Sequence, residues 1–93
     1  MSMKKLKLIE APQGQEFWLN DGPTLRNLRE LKNFLEVITP AMFNHHTKNG
    51  RNDFALWVGE VLQDKTASAA IKKAKTITGT RTAVGTALKR YSL

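Results

Sequence analysis

Between residues 54 and 62, Phe54, Trp57, Val58, Val61 and Leu62 recur at i, i+3, i+4, i+7 and i+8. That spacing gathers five large apolar side chains on one side of an α-helix, whereas a strand would scatter them over both faces. A chain of 93 residues supports one modest core. The stripe must therefore lie at its centre, and the other elements must cover it. A second stripe (Leu25, Leu28, Leu31, Leu35, Ile38) predicts a partner helix over about 24–38, with Thr24 as its cap and Arg26, Arg29, Glu30, Lys32 and Glu36 outside.

Helix signals recur along the rest of the chain. Thr39-Pro40 reads as an N-cap with proline at the first helical position, starting a helix over 40–47 that offers Met42 and Phe43 to the core. Asn49-Gly50 closes it, and Asn52 opens the central helix over 52–63, with Asp53 at the positive end of its dipole. Asp64 can cap a helix over 65–78, whose inner face is Ala67, Ala70, Ile71, Ala74 and Ile77 and which Gly79 should end. Near the N-terminus, 5–9 alternates polar and apolar residues. Phe17 and Leu19 share a face opposite Trp18, and Pro12 and Gly14 lie between, which predicts a β-hairpin over 5–19. The last segment, 79–93, reads two ways. Ala83, Val84, Ala87, Leu88 and Tyr91 fit a marginal fifth helix interrupted by Gly85, while Thr76, Thr78, Thr80 and Thr82 alternate as in an extended segment. The fold class predicted is mainly α: a compact bundle of about four helices with a short N-terminal β-hairpin. It forms one globular domain over 1–78, followed by a basic C-terminal helix or tail.

Charge is sorted along this chain. Residues 65–93 carry seven bases (Lys65, Lys72, Lys73, Lys75, Arg81, Lys89, Arg90) and no acid, while all eight acids fall within 10–64. With five bases among those acids and three more lysines at 4, 5 and 7, the net charge is +7 and the pI about 10.1. Folding does not require such sorting, so it points to a polyanionic partner. Nucleic acid, DNA or RNA, is the leading candidate, bound with little sequence preference through phosphate contacts from those seven C-terminal residues, with Lys4, Lys5 and Lys7 as a second patch. About five engaged cations would give a slope of about −4 to −5 in log K against log salt on duplex DNA. The alternative is a non-catalytic module that docks on an acidic protein or a larger assembly. The mostly alanine inner face over 65–78 is too weak for an interfacial membrane helix, and no segment has the length or apolarity of a signal peptide or a span. The absence of cysteine removes disulfides and thiolate metal sites, and with them it predicts a cytoplasmic protein.

Few residues suggest chemistry. His45-His46 with Asn52-Asp53 is the one cluster that resembles a metal or acid–base site. Adjacent helical histidines point about 100° apart, however, and no third ligand is evident. A histidine that bonds at its helix end, with Asn52 and Asp53 capping the next helix, accounts for the same residues. Gly79-Thr80-Arg81-Thr82 has phosphate-binding chemistry but is too short to be diagnostic. Trp18 is the aromatic best placed for base stacking. No catalytic residue, cofactor or metal is expected, and the protein is not read as an enzyme.

Phe17-Trp18-Leu19, Gly22, Leu25, Leu28, Leu31, His45-His46 and Asn52-Asp53-Phe54-Ala55 with Trp57 together resemble an uncharacterised family of small archaeal and bacterial domains of unknown function. Its signature is a histidine followed by Asn-Asp-Phe-x-x-Trp, and its members occur alone or appended to larger proteins. The resemblance covers residues 16–75. It implies a compact, mostly helical module with no established activity, and it assigns no catalytic role to His46, Asn52 or Asp53. Thr66-Ala67 stands where the family has a more acidic helix start, and 77–93 is additional; both departures make the C-terminal part more basic.

Overall fold

The computed structural model describes residues 6–19 and 22–92. Lys4, Lys5 and the Asn20-Asp21 half of the expected turn lie outside the described residues. The fold is mainly helical, with five α-helices where about four were expected: α1 (Leu28–Leu35), α2 (Pro40–Thr47), α3 (Asp53–Glu60), α4 (Lys65–Lys73) and α5 (Ile77–Leu88). Among the described residues four short strands accompany them: β1 (Leu6–Lys7), β2 (Phe17–Trp18), β3 (Thr24–Leu25) and β4 (Tyr91–Ser92).

Phe54, Trp57 and Val58 of the central stripe are buried in α3, which packs chiefly on α4. α3 ends at Glu60, short of the expected 63, so Val61 is half-buried at its C-cap and Leu62 is buried just beyond it. Small residues let those two helices approach. Ser68 Oγ donates to the Ala55 carbonyl at 2.6 Å, and a Cβ added to Gly59 would lie 2.9 Å from that same oxygen. Phe17 stacks on Phe54 with ring centroids 5.0 Å apart, which brings β2 onto the core.

Three predicted caps form as read. The Thr39 hydroxyl accepts from Met42 N–H at 3.2 Å, Asn52 Oδ1 from Ala55 N–H at 3.0 Å, and Asp64 Oδ1 from Ala67 N–H at 2.9 Å. The fourth does not. Thr24 lies in β3 opposite Trp18, and Asn27 caps α1 by accepting from Glu30 N–H at 2.8 Å. Leu25 is buried either way, because the inward face of a short strand and the first turn of a helix both satisfy it.

The expected hairpin over 5–19 is replaced by different pairings. β2 pairs antiparallel with β3 (Phe17 with Leu25, Trp18 with Thr24), and β1 pairs in parallel with β4 (Leu6 with Tyr91, Lys7 with Ser92). Ala11 N–H donates to the Arg26 carbonyl at 2.7 Å, and the 12–15 turn closes on itself through Gln15 N–H to Pro12 at 2.9 Å. The connection is thus spent along β3 and does not fold β1 back on β2.

The helix expected over 65–78 stops at Lys73, where Ala74 turns extended (ψ 120°), and a new helix begins after Thr76, whose hydroxyl accepts from Gly79 N–H at 2.9 Å. Gly79 therefore sits in the first turn of α5 and ends nothing. The alternating threonines are helical: Thr80 and Thr82 hydroxyls donate to the carbonyls of Thr76 and Thr78. In place of a marginal appendage, α5 packs against α1 and α4 and adds Val84, Ala87 and Leu88 to the core, with Tyr91 beyond it.

Candidate functional site

Of the seven C-terminal cations expected to meet phosphates, two are committed inside the fold. Arg81 lies against the C-terminus of α1. Its Nε donates to the Leu35 carbonyl at 2.7 Å, its Nη2 to that of Glu36 at 3.4 Å, and the Glu36 carboxylate is 3.7 Å away. Those carbonyls have no partner within their own helix, so a cation there serves both hydrogen bonding and the helix dipole.

Arg90 donates from Nη2 to Asp64 Oδ2 at 2.7 Å, and the Tyr91 hydroxyl donates to the same oxygen. Asp64 is buried, and burial alone would raise its pKa. Hydrogen bonds from Tyr91, from Ala67 N–H and from Arg90, together with the Arg90 charge, outweigh that and hold it below its ordinary 3.8. Burial and the neighbouring carboxylate push the Tyr91 phenol up to about 12. One aspartate thus caps α4 and anchors the chain end that forms β4.

The five lysines of the set behave differently. Lys65, Lys72 and Lys73 are exposed on α4, Lys75 follows in the connection, and Lys89 follows α5. The contrast runs through the described residues. Four of the five arginines pair with a carboxylate: Arg26 with Glu10, Arg51 with Asp53, Arg81 with Glu36, and Arg90 with Asp64. None of the eight described lysines has a carboxylate within 4 Å among the described residues. The planar guanidinium suits fixed partners, whereas the ammonium stays hydrated on a flexible stem and remains available to a polyanion.

At the C-terminal end of α4, Lys72 and Lys75 meet Arg51, Asn52 and Thr47 around a hollow of about 80 Å³. Asn52 holds the two segments together by donating to the Ile71 carbonyl at 3.3 Å. Arg51 was not among the expected contacts, because in the sequence it stands among acids and only the fold brings it beside α4.

His46 Nδ1 lies 3.0 Å from Asp53 Oδ2, and the ring is buried against Phe17 and Phe54. Arg51 Nε holds the other oxygen of Asp53 at 2.9 Å. The cluster joins the end of α2 to the start of α3. Among the described residues no three His, Cys, Asp or Glu side chains converge as a metal-holding group. Beside His46 runs an open groove of about 400 Å³ with Phe17 and Trp57 in its wall and Trp18 and Leu56 on it, 72% and 59% exposed. Trp57 is fixed by donating from Nε1 to the Gln15 carbonyl at 2.9 Å. No helix among the described residues is long and apolar enough to cross a membrane. Comparison with protein-family models, with curated proteins and with solved structures found no match.

Proposed function

We propose that this protein binds nucleic acid with little sequence preference, holding phosphates with Lys65, Lys72, Lys73 and Lys75, in the cytoplasm and without catalysis. The observation that carries the proposal is the division of labour among its cations. Arginines pair with Glu10, Glu36, Asp53 and Asp64, so half of the chain's eight acids are engaged, while the α4 lysines face outward with no carboxylate beside them. Lys65 and Lys72 are seven residues apart and lie on one side of α4, opposite the buried Ala67 and Ile71. The hollow that Lys72 and Lys75 border gives that surface a concave end, whose far wall includes Arg51, itself held by Asp53.

Arg81 and Arg90 leave the set of phosphate contacts, because withdrawing either would unsatisfy a helix end or a buried carboxylate. The test is fluorescence anisotropy with labelled single- and double-stranded RNA and DNA. Lys72→Gln/Lys73→Gln/Lys75→Gln should weaken binding at least about tenfold at low salt, whereas Arg81→Gln should lower the melting temperature and leave the affinity of the folded protein near wild type. Equal affinity of the triple variant and wild type would refute the proposal. A complex with an acidic protein that survives nuclease, with no anisotropy change on nucleic acid, would favour the docking alternative.

A further inference from the structure

An open cleft of about 700 Å³ lies between α1 and α5, away from the α4 lysines. It is lined by Arg29, Lys32 and Asn33 of α1, by Gly85, Leu88 and Lys89, and by Tyr91. Three of the lining residues are cations, and none has a carboxylate within 4 Å among the described residues. Among the described residues no acid lines the cleft. The carboxylates of α1 and its C-cap are turned elsewhere: Glu30 accepts from Arg26 N–H at 2.8 Å, and Glu36 faces Arg81. The positive charge lining the cleft is therefore not offset by a carboxylate among its own lining residues.

Gly85 strengthens the point. It lies in the interior of the twelve-residue α5 with no positive φ, so the backbone does not require glycine there. A Cβ at this position would meet only Lys32 Cε, at 3.7 Å, an ordinary contact, so packing does not require it either. Glycine in a helix interior is unfavourable. What it provides here is open space over the helix backbone, between the cations of α1 and Lys89.

We propose that this cleft is a binding site for a small molecule carrying a chain of two or more phosphates. Three cations of one sign around a volume in the range of small-ligand sites call for a compact polyanion. Arg29 offers a planar fork for one phosphate, while Lys32 and Lys89 act as mobile point charges on the others. Leu88 and the Tyr91 edge supply the apolar part of the lining. The site stands apart from the proposed nucleic-acid surface, sharing none of Lys65, Lys72, Lys73 and Lys75.

Inorganic tripolyphosphate is the probe, titrated by isothermal calorimetry into the full chain. Wild type should bind one equivalent. Arg29→Gln/Lys32→Gln should weaken that binding at least about tenfold, since each lost charged hydrogen bond is worth roughly that factor. Gly85→Leu keeps every charge but fills the cleft, and it too should abolish the saturable site. Lys72→Gln/Lys73→Gln/Lys75→Gln removes more charge elsewhere and should leave it intact. Circular dichroism establishes that each variant is folded, and if Gly85→Leu is not, Arg29→Gln/Lys32→Gln decides. Absence of binding to wild type, undiminished binding to folded Gly85→Leu, or an equal loss in the α4 variant would overturn the proposal.

Discussion

Replacing Asp64 by alanine removes three interactions with a single carboxylate. The α4 N-cap to Ala67 N–H is lost, which costs about 1 kcal/mol. The charged bond from Arg90 goes as well. Such bonds contribute about 1.5–3 kcal/mol, and because the Arg90 side chain is 37% exposed its share falls at the low end. The Tyr91 hydroxyl, buried against Asp64, is left without its acceptor, at about 1–3 kcal/mol. These terms share one group and do not simply add, so the expected loss is about 3–5 kcal/mol. Domains of this size have a total stability of about 5–14 kcal/mol. Urea unfolding followed by circular dichroism measures the loss directly, and the melting temperature should fall by at least about 12 °C.

The pH dependence gives a second readout of the same group. Asp64 is held below its ordinary pKa of 3.8, so its contribution is complete above the unfolded value and disappears as pH falls through the folded one. Tyr91 is raised from 10.0 to about 12, so its contribution is complete below pH 10 and is lost as pH climbs toward 12. Asp64→Ala should remove the Asp64 part of the acid limb and shrink the alkaline limb, leaving the part that burial of Tyr91 causes. A loss under about 1 kcal/mol, with no coupling to Tyr91→Phe in a double-mutant cycle, would refute the idea that Asp64 docks the chain end.

Two glycines should respond in opposite directions to alanine. Gly85→Ala, with only Lys32 Cε at 3.7 Å, should stabilise by about 0.5–1 kcal/mol, and Gly59→Ala, whose Cβ would crowd Ser68 Oγ at 2.9 Å, should destabilise by about 1–3 kcal/mol; chemical denaturation reads both. Asn27→Ala removes the α1 cap and the bond to Glu10, for a loss of about 1–2 kcal/mol, whereas the exposed Thr24→Ala should stay within about 0.5 kcal/mol.

What the sequence made legible was local. Thr39, Asn52 and Asp64 were readable as caps because each bonds an amide three residues ahead, and Phe54, Trp57 and Val58 were readable as core because their spacing is helical. The break between α4 and α5 was not. Ala74 and Lys75 carry no glycine or proline, and Thr76, the cap, is disguised by the threonines that follow it. The partnership of β1 with β4 joins residues 6–7 to 91–92, a pairing without local signature. The cations themselves were countable from sequence, but their partners were not. Arg90 is committed by its bond to Asp64, 26 residues away, and Arg51 meets Lys72, and Arg29 meets Lys89, only through the packing of helices.

The central claim is that the lysines around α4, which have no carboxylate partner among the described residues, hold phosphates, and the salt dependence of duplex-DNA binding tests it most directly. Each phosphate neutralised contributes about −0.9 to the slope of log K against log salt, so four lysines predict about −3.6 for wild type. Lys72→Gln/Lys73→Gln/Lys75→Gln should flatten that slope by about 2.7. A wild-type complex insensitive to salt, or a triple variant with an unchanged slope, would contradict the account.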